Sequence, residues 1–411
     1  MAECCRFCDT ELEHVFVDLG MSPIANDYVP AERMNSMEPF YPLRVYVCHR
    51  CFLVQLPAVQ SADAIFRDDY AYFSSMSDSW LAHAKAYVDG MIERFGFDQN
   101  SQVVELASND GYLLQYFQQR EVPVLGVEPC GNVAQAAEEK GIPSVVEFFG
   151  QALGERLRTE RRPADLIIGN NVLAHVPDLN DFVAGMKALL APTGVITMEF
   201  PHLLRLMERN QFDTIYHEHF SYFSFLAVEQ VFAHHGLTLF DVQELPTHGG
   251  SLRIYARHTD DETHPVGPAV AELLGRERAA GFDTLAAYED FETVVNRTKR
   301  ELLKFLIEAK EAGKTVVGYG APAKGNTLLN FCGVRTDMID YTVDRAPSKQ
   351  NTLLPGIRIP VHAPEKILET RPDYVLILPW NIAEEIQSKM GEVREWGGRF
   401  VVPIPEVKLL D

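Results

Sequence analysis

The fold turns on VVELASNDGYLLQYF, residues 103–117. Val103–Leu106 has the short apolar run of a buried strand. Ala107–Gly111 is a loop of small and polar residues, and Tyr112–Phe117 continues with a helical pattern. Strand, small-residue loop and helix, in that order, open a βαβ unit whose loop lets a ligand approach the backbone closely. The next apolar run, VLGVEP at Val124–Pro129, ends on the acid Glu128, 23 residues after Glu105. An acid at about that separation can grip a ribose diol through two charge-assisted hydrogen bonds. The loop lacks G-x-G-x-x-G, which disfavours a dinucleotide pyrophosphate. S-adenosylmethionine carries no phosphate and tolerates a looser loop. A plain strand–turn–helix with no ligand is the competing reading of such a short motif.

Working outward, the alternation persists. DLIIGN at Asp165–Asn170 and GVITMEF at Gly194–Phe200 extend a parallel sheet. This texture runs from about Ser74 to His258. Beyond it, a polar helical stretch from about Ala269 to Ala312 is closed by Gly313, a plausible C-cap. A second, smaller parallel sheet is expected from TVVGYG at Thr315–Gly320, MIDYTVD at Met338–Asp344, YVLILPW at Tyr374–Trp380 and RFVVPIP at Arg399–Pro405. The predicted boundaries are 1–73, 74–258 and 259–411.

The first region is loop-rich and holds five of the seven cysteines. Cys5-Arg-Phe-Cys8 and Cys48-His-Arg-Cys51 are two C-x2-C pairs. Each knuckle presents two thiolates to one side of an ion, and two knuckles close a tetrahedral structural zinc site. The alternative is two chance pairs of reduced thiols. His49 lies inside the second knuckle as a bystander. Such a site explains how a region with little core stays folded.

The formal charge is −21, with 46% apolar and 23% charged residues. That is a globular composition, and the wrong sign for non-specific nucleic-acid binding. No apolar run reaches the roughly 20 residues that span a bilayer. MAECCRFC is not a secretory signal, and seven cysteines are too few for a disulfide scaffold. A cytoplasmic protein is expected, without membrane or nucleic-acid partners, as a monomer or weak homodimer.

Two further stretches carry chemistry. Tyr216-His217-Glu218-His219 follows a strand end and a short polar helix. If it is extended, His217 and His219 face one way and Tyr216 and Glu218 the other, and a loop would break that rule. Histidine titrates near neutrality, as a general base should. His-x-His can also chelate a metal, although the remaining ligands have no obvious source. The second stretch, Gly318-Tyr-Gly-Ala-Pro-Ala-Lys324-Gly-Asn, sits between a strand and a helix, where N–H groups and a lysine suit a phosphate. Asp344, Lys349, Trp380 and Asn381 come at the ends of later strands, on the edge where α/β sheets bind ligands. A Rossmann-like domain that binds nothing is the bland alternative.

VVELASNDGYLL, GVEP, NNVLAHVPD at Asn170–Asp178, FDTIYHEHFSYFS at Phe212–Ser224, HGGSLR at His248–Arg253 and GYGAPAKGNTLLNF at Gly318–Phe331 together resemble the sugar C-methyltransferases of deoxysugar biosynthesis. The resemblance runs in order from Cys5 nearly to the C-terminus, with two departures. Asp9 stands where glycine commonly follows the first knuckle, and Ala107 replaces the first glycine of the usual loop. The resemblance implies an α/β chain with an N-terminal zinc-binding domain, a central class I methyltransferase Rossmann-like domain and a smaller C-terminal Rossmann-like domain. It implies S-adenosylmethionine and structural zinc, and a nucleotide-sugar substrate, dTDP-linked in the best-known relatives, in antibiotic or polysaccharide biosynthesis.

The family likeness also assigns roles. His219 is the base, with Tyr216, Glu218 and His175 in the same pocket and Tyr70 as a lid. Cofactor contacts fall to Glu105, Ala107, Asn109, Gly111, Glu128, Pro129, Asn132, Phe148 and Asn171. Substrate contacts fall to Tyr72, His248, Tyr319, Lys324, Asp344, Lys349, Trp380 and Asn381. The reaction implied is methylation of the carbon next to the ketone of a 4-keto-6-deoxy sugar, through an enolate. A NAD-dependent sugar oxidoreductase using the C-terminal sheet, and a non-enzymatic scaffold that binds sugar nucleotides, are the alternatives.

Overall fold

A computed structural model describes residues 3–60 and 73–410. Tyr70 and Tyr72 lie outside the described residues. The central sheet has seven strands. Its spatial order is Ser144–Val145, Val124–Val127, Val103–Leu106, Ala164–Asn170, Leu190–Pro201, Ser251–His258 and Leu237–Leu245. The first five run parallel, and Ser251–His258 is antiparallel to both of its neighbours. Val103–Leu106 therefore sits mid-sheet and is buried on both faces, which is why it reads as a continuous apolar run broken only by Glu105.

Helix Asp78–Phe95 leads into this sheet. Ser77 caps it by accepting from the Trp80 N–H, and Gly96 ends it in the left-handed conformation. Helix Phe225–His234 begins over a buried carboxylate: Glu277 accepts from the Phe225 and Leu226 N–H groups and from His202. That acid answers the orphan donors of a helix start.

The C-terminal sheet has six strands, parallel except for Lys408–Leu410. Of the expected MIDYTVD strand only Thr342–Val343 pairs as strand. The polar stretch before the sheet is three helices, Pro268–Ala279, Ala286–Glu289 and Phe291–Glu311. Gly313, at φ 67°, follows the last of them.

The N-terminal region departs most from its loop-rich reading. It forms an antiparallel sheet of His14–Ser22, Tyr41–Val47 and Val54–Gln55, and the fourth strand, Ser221–Tyr222, comes from the central region. Val29–Pro30 pairs in turn with Thr352–Leu353 of the third region. Among the described residues, strand pairing thus joins the three textures of the sequence at two places. No helix of the described residues is long and apolar enough to cross a membrane.

Candidate active site

The loop after Val103–Leu106 is tightly wound. Ala107, Asn109 and Gly111 all have positive φ, at 54°, 49° and 73°. At Gly111 a Cβ would also lie 2.3 Å from the Ile142 Cδ1 methyl, which would have to move aside, so the positive φ is the firmer reason for glycine. Glu128 holds the loop: its two carboxylate oxygens accept from the Asn109 and Cys130 N–H groups, each at 2.9 Å. Asn109 Oδ1 accepts from the Ser74 N–H, so the segment entering helix Asp78–Phe95 lies against the same loop. Burial raises the carboxyls of both Glu105 and Glu128 above the ordinary range. The backbone donors oppose this at Glu128, and Tyr112 opposes it at Glu105.

Polar atoms collect here. Ser108 Oγ and both side-chain heteroatoms of Asn170 are buried with no hydrogen-bond partner among the described residues. Unanswered polar atoms cost free energy unless a ligand satisfies them. Neutral and acidic groups around a twisted loop fit the adenosine and amino-acid portions of S-adenosylmethionine. Pro129 and Asn132 follow Glu128 into helix Gly131–Glu139. Phe148 is exposed just beyond Ser144–Val145, and its neighbour Phe149 packs on Phe182. Asn171, at φ 55°, donates through Nδ2 to His248 Nε2 at 2.9 Å.

Tyr216–His219 is a turn, not an extended strand. The His219 N–H donates to the Tyr216 carbonyl at 2.9 Å, which brings Tyr216 and His219 together with ring centroids 4.0 Å apart. His217 leaves in another direction and donates to the Pro42 carbonyl. The alternating faces expected of a strand, and with them a His-x-His chelate, are absent because the turn rotates the two imidazoles apart. His175 stacks edge-on against His219 at 4.7 Å. His219 Nδ1 donates to the Thr214 carbonyl at 2.8 Å, which fixes the tautomer and leaves Nε2 as the basic nitrogen. Burial and the neighbouring His175 hold the His219 pKa well below its ordinary value, and burial takes His175 down to about 4. Glu218 is buried, accepts from Asn26 Nδ2 at 2.7 Å, and is pushed up to about 7 by its burial.

The C-terminal region meets this site edge-on. Trp380 Nε1 donates to Asp213 Oδ2 at 2.7 Å, and a Cβ on Gly249, next to His248, would lie 2.9 Å from Trp380. Lys324 Nζ lies 4.5 Å from the Trp380 ring centroid and donates to Asn381. Burial raises Asp213 to about 6, with Lys324 opposing, and burial lowers Lys324, with Asp213 opposing. His248, Lys324, Trp380 and Asn381 are therefore brought together. Tyr319, Asp344 and Lys349 are placed differently. Tyr319 is buried in the core of the C-terminal sheet. Asp344 accepts from the Ala321 and Ala346 N–H groups, and Lys349 donates to the Ala321 carbonyl.

The four thiols converge. Cys5, Cys8, Cys48 and Cys51 Sγ atoms all lie within 4.8 Å of one another, with three pairs at 3.5–3.6 Å. A tetrahedron with Zn–S of about 2.3 Å has edges of about 3.8 Å, so the set fits zinc and leaves no open position for water. Gln55 Nε2 donates to Cys5 Sγ, the kind of outer hydrogen bond that orients a ligand.

Several residues at the site escaped the sequence reading. Glu199 lies two residues before the end of Leu190–Pro201 and is buried between His83 and Arg253, at 2.8 and 2.7 Å. Its signal is weak, an acid near the end of an apolar run, and Arg253 is its cross-strand partner. Trp80 stacks on His83 and Tyr112 and lies 5.4 Å from His248. Asn26 carried no local signal at all.

A seven-stranded sheet with one reversed strand, and a small-residue loop pinned by a strand-end acid, defines a class I S-adenosylmethionine-dependent methyltransferase. The chain matches family models for a C-methyltransferase C-terminal domain at residues 246–405, a methyltransferase domain at 80–242 and a zinc binding domain at 5–66. It is 39% identical over 406 residues to the C-methyltransferase NovU of Streptomyces niveus, covering 99% of this chain and 96% of that one. It belongs to this C-methyltransferase family. Among solved structures, a SAM-dependent methyltransferase of Anabaena variabilis ATCC 29413 is similar over 50% of this chain and 99% of its own, with 15% identity and a TM-score of 0.37. An S-adenosylmethionine-dependent methyltransferase of Clostridium acetobutylicum ATCC 824 covers 43% and 92%, with 12% identity and a TM-score of 0.36. Scores this low add nothing to the strand order itself.

Proposed function

We propose that the enzyme methylates the carbon beside the ketone of a nucleotide-linked 4-keto-6-deoxy sugar, dTDP being the carrier, in the cytoplasm. The observation that carries this reading is the His219 tautomer: a neutral, half-buried imidazole with Nδ1–H committed to Thr214 and Nε2 left to accept a proton. Carbon methylation needs a carbon nucleophile. An unactivated C–H is not acidic enough at neutral pH, whereas one beside a ketone yields an enolate when base and oxygen stabilisation act together. S-adenosylmethionine, when bound, supplies an electrophilic methyl group and departs as the thioether.

The chain's residues do the rest. His219 Nε2 takes the proton from the sugar carbon, and its lowered pKa keeps it neutral and ready. Tyr216, whose ring centroid is 4.0 Å from that of His219, offers its hydroxyl to the developing oxyanion. Glu218, with a pKa raised to about 7, is part protonated near neutrality and can share a proton with the same pocket. Glu128, Asn109 and Asn170 bind and orient the cofactor. The nucleotide lies against Trp380, with Lys324 as the cation for its phosphates, which gives this acidic chain one local basic site. Asp344 and Lys349 hold the shape of the loop beneath it.

The test is a panel of nucleotide 4-keto sugars with methyl-labelled S-adenosylmethionine. Label should enter the carbon adjacent to the ketone. Sugars reduced at that ketone should bind without being methylated. Methylation of a reduced sugar would overturn the enolate reading.

A further inference from the structure

The turn that carries His219 and the loop that carries His175 are both fastened to the zinc knuckle, and the fastener is Arg6. This residue lies between the ligands Cys5 and Cys8. Its Nη1 donates to the Pro177 carbonyl at 2.8 Å, two residues past His175, and its Nη2 donates to the Leu56 carbonyl. Its guanidinium lies 5.4 Å from the ring centroid of Phe220, the residue after His219. The backbone closes the circuit. The Leu56 N–H donates to the Phe220 carbonyl at 3.0 Å, and the Phe220 N–H donates to the Ala174 carbonyl at 2.7 Å. On the metal side, Gln55 Oε1 accepts from the Arg6 N–H at 2.9 Å while its Nε2 donates to Cys5 Sγ at 3.1 Å. Asn180 adds a bond to the Phe7 carbonyl at 2.9 Å.

A guanidinium presents its donors in a rigid fork and so spans two carbonyls at a fixed separation, which an ammonium on a flexible stem does not. We propose that Arg6 is a positioning residue for methyl transfer: the metal-held knuckle fixes its backbone, and its fork ties the His175 loop to Leu56, whose N–H in turn holds the Phe220 carbonyl next to His219. The cysteine site then acts at a distance on catalysis, as well as holding the N-terminal region folded. This inference rests on the assignment of His219 and His175 made under Proposed function.

The experiment compares Arg6→Lys and Arg6→Gln with the unaltered protein, as full-length zinc-loaded chains. A misplacement of about 1 Å costs on the order of 10²-fold in rate. Arg6→Lys should therefore lower kcat on a dTDP-linked 4-keto-6-deoxy sugar by roughly 10–10²-fold, with the KM for S-adenosylmethionine and the one zinc per chain retained. In the same proteins, hydrogen exchange should quicken at the Phe220 amide and across 172–180, while 103–111 stays protected. Unchanged kcat, or a loss of rate that tracks loss of zinc, overturns the proposal. Unchanged exchange at Phe220 and 172–180 overturns it too, whatever the substrate. If His219→Asn also leaves turnover intact, the catalytic assignment is what has failed, and the exchange data still decide whether Arg6 fixes the loop.

Discussion

Two strand–loop–helix units of this chain are built on one plan and do different things. In the central sheet, Glu128 at the end of Val124–Val127 accepts from the loop amide of Asn109 and from the amide two residues on, Cys130. In the C-terminal sheet, Asp344 just after Thr342–Val343 accepts from the loop amide of Ala321 and from the amide two residues on, Ala346. The second loop is then filled from within. Lys349 donates to the Ala321 carbonyl and lies 3.9 Å from Asp344, and the Tyr28 hydroxyl donates to that same carbonyl. The first is left with buried atoms of Ser108 and Asn170 that no described residue answers. The shared plan is a way of holding a loop. What differs is how far each loop is answered from within the chain.

The largest effect should come from the Tyr216–His219 turn. His219→Asn keeps shape and much of the hydrogen bonding, yet turnover should fall by about 10²–10⁴-fold, the usual share of general-base catalysis. Wash-in of solvent deuterium at the reacting carbon, followed by NMR, should disappear with it. Exchange at the wild-type rate would move the base to Glu218 or His175.

Next comes the contrast between the acids. Glu128→Ala strands two loop amides and should weaken S-adenosylmethionine binding tenfold or more in a calorimetric titration, from the roughly 1.5–3 kcal/mol of a charged hydrogen bond. Asp344→Ala should leave that affinity within about twofold and instead lower thermal stability, by about 1–3 kcal/mol for each buried amide left unpaired. Equal losses of cofactor affinity in the two variants would erase the distinction between the loops.

The smallest effect is a pH dependence. The Glu218 carboxyl rises from 4.5 to about 7 on folding because it is buried. Between those values the native state binds more protons than the unfolded chain, so this group's contribution to stability is full below pH 4.5 and is lost as pH rises through about 7. Glu218→Gln should flatten the melting temperature across that window. An unchanged slope would locate the titrating group elsewhere.

How much of this was legible follows from range along the chain. Glu128 is found from its distance to Glu105 because strand, turn, helix and strand have set lengths. The zinc ligands are found because each knuckle is local and metal geometry joins the two. Glu199 is legible only as an acid near the end of an apolar run, without the spacing that marks Glu128. The turn at Tyr216–His219 was not, because a four-residue stretch has no periodicity with which to tell strand from turn.

By itself, then, the sequence determined the alternating elements, the thiol cluster, the strand-end acids and the residue types of the Tyr216–His219 turn. Each follows from short-range spacing, where backbone geometry leaves few choices. Only the tertiary structure decided which of these meet. Asn26 reaches Glu218 across 192 residues, Arg6 reaches Pro177 across 171 and Trp380 reaches Asp213 across 167. Such pairs leave no periodic trace, since the packing of whole sheets brings them together. The same packing makes Ser221–Tyr222 the fourth strand of the N-terminal sheet and so places the Tyr216–His219 turn against the N-terminal region.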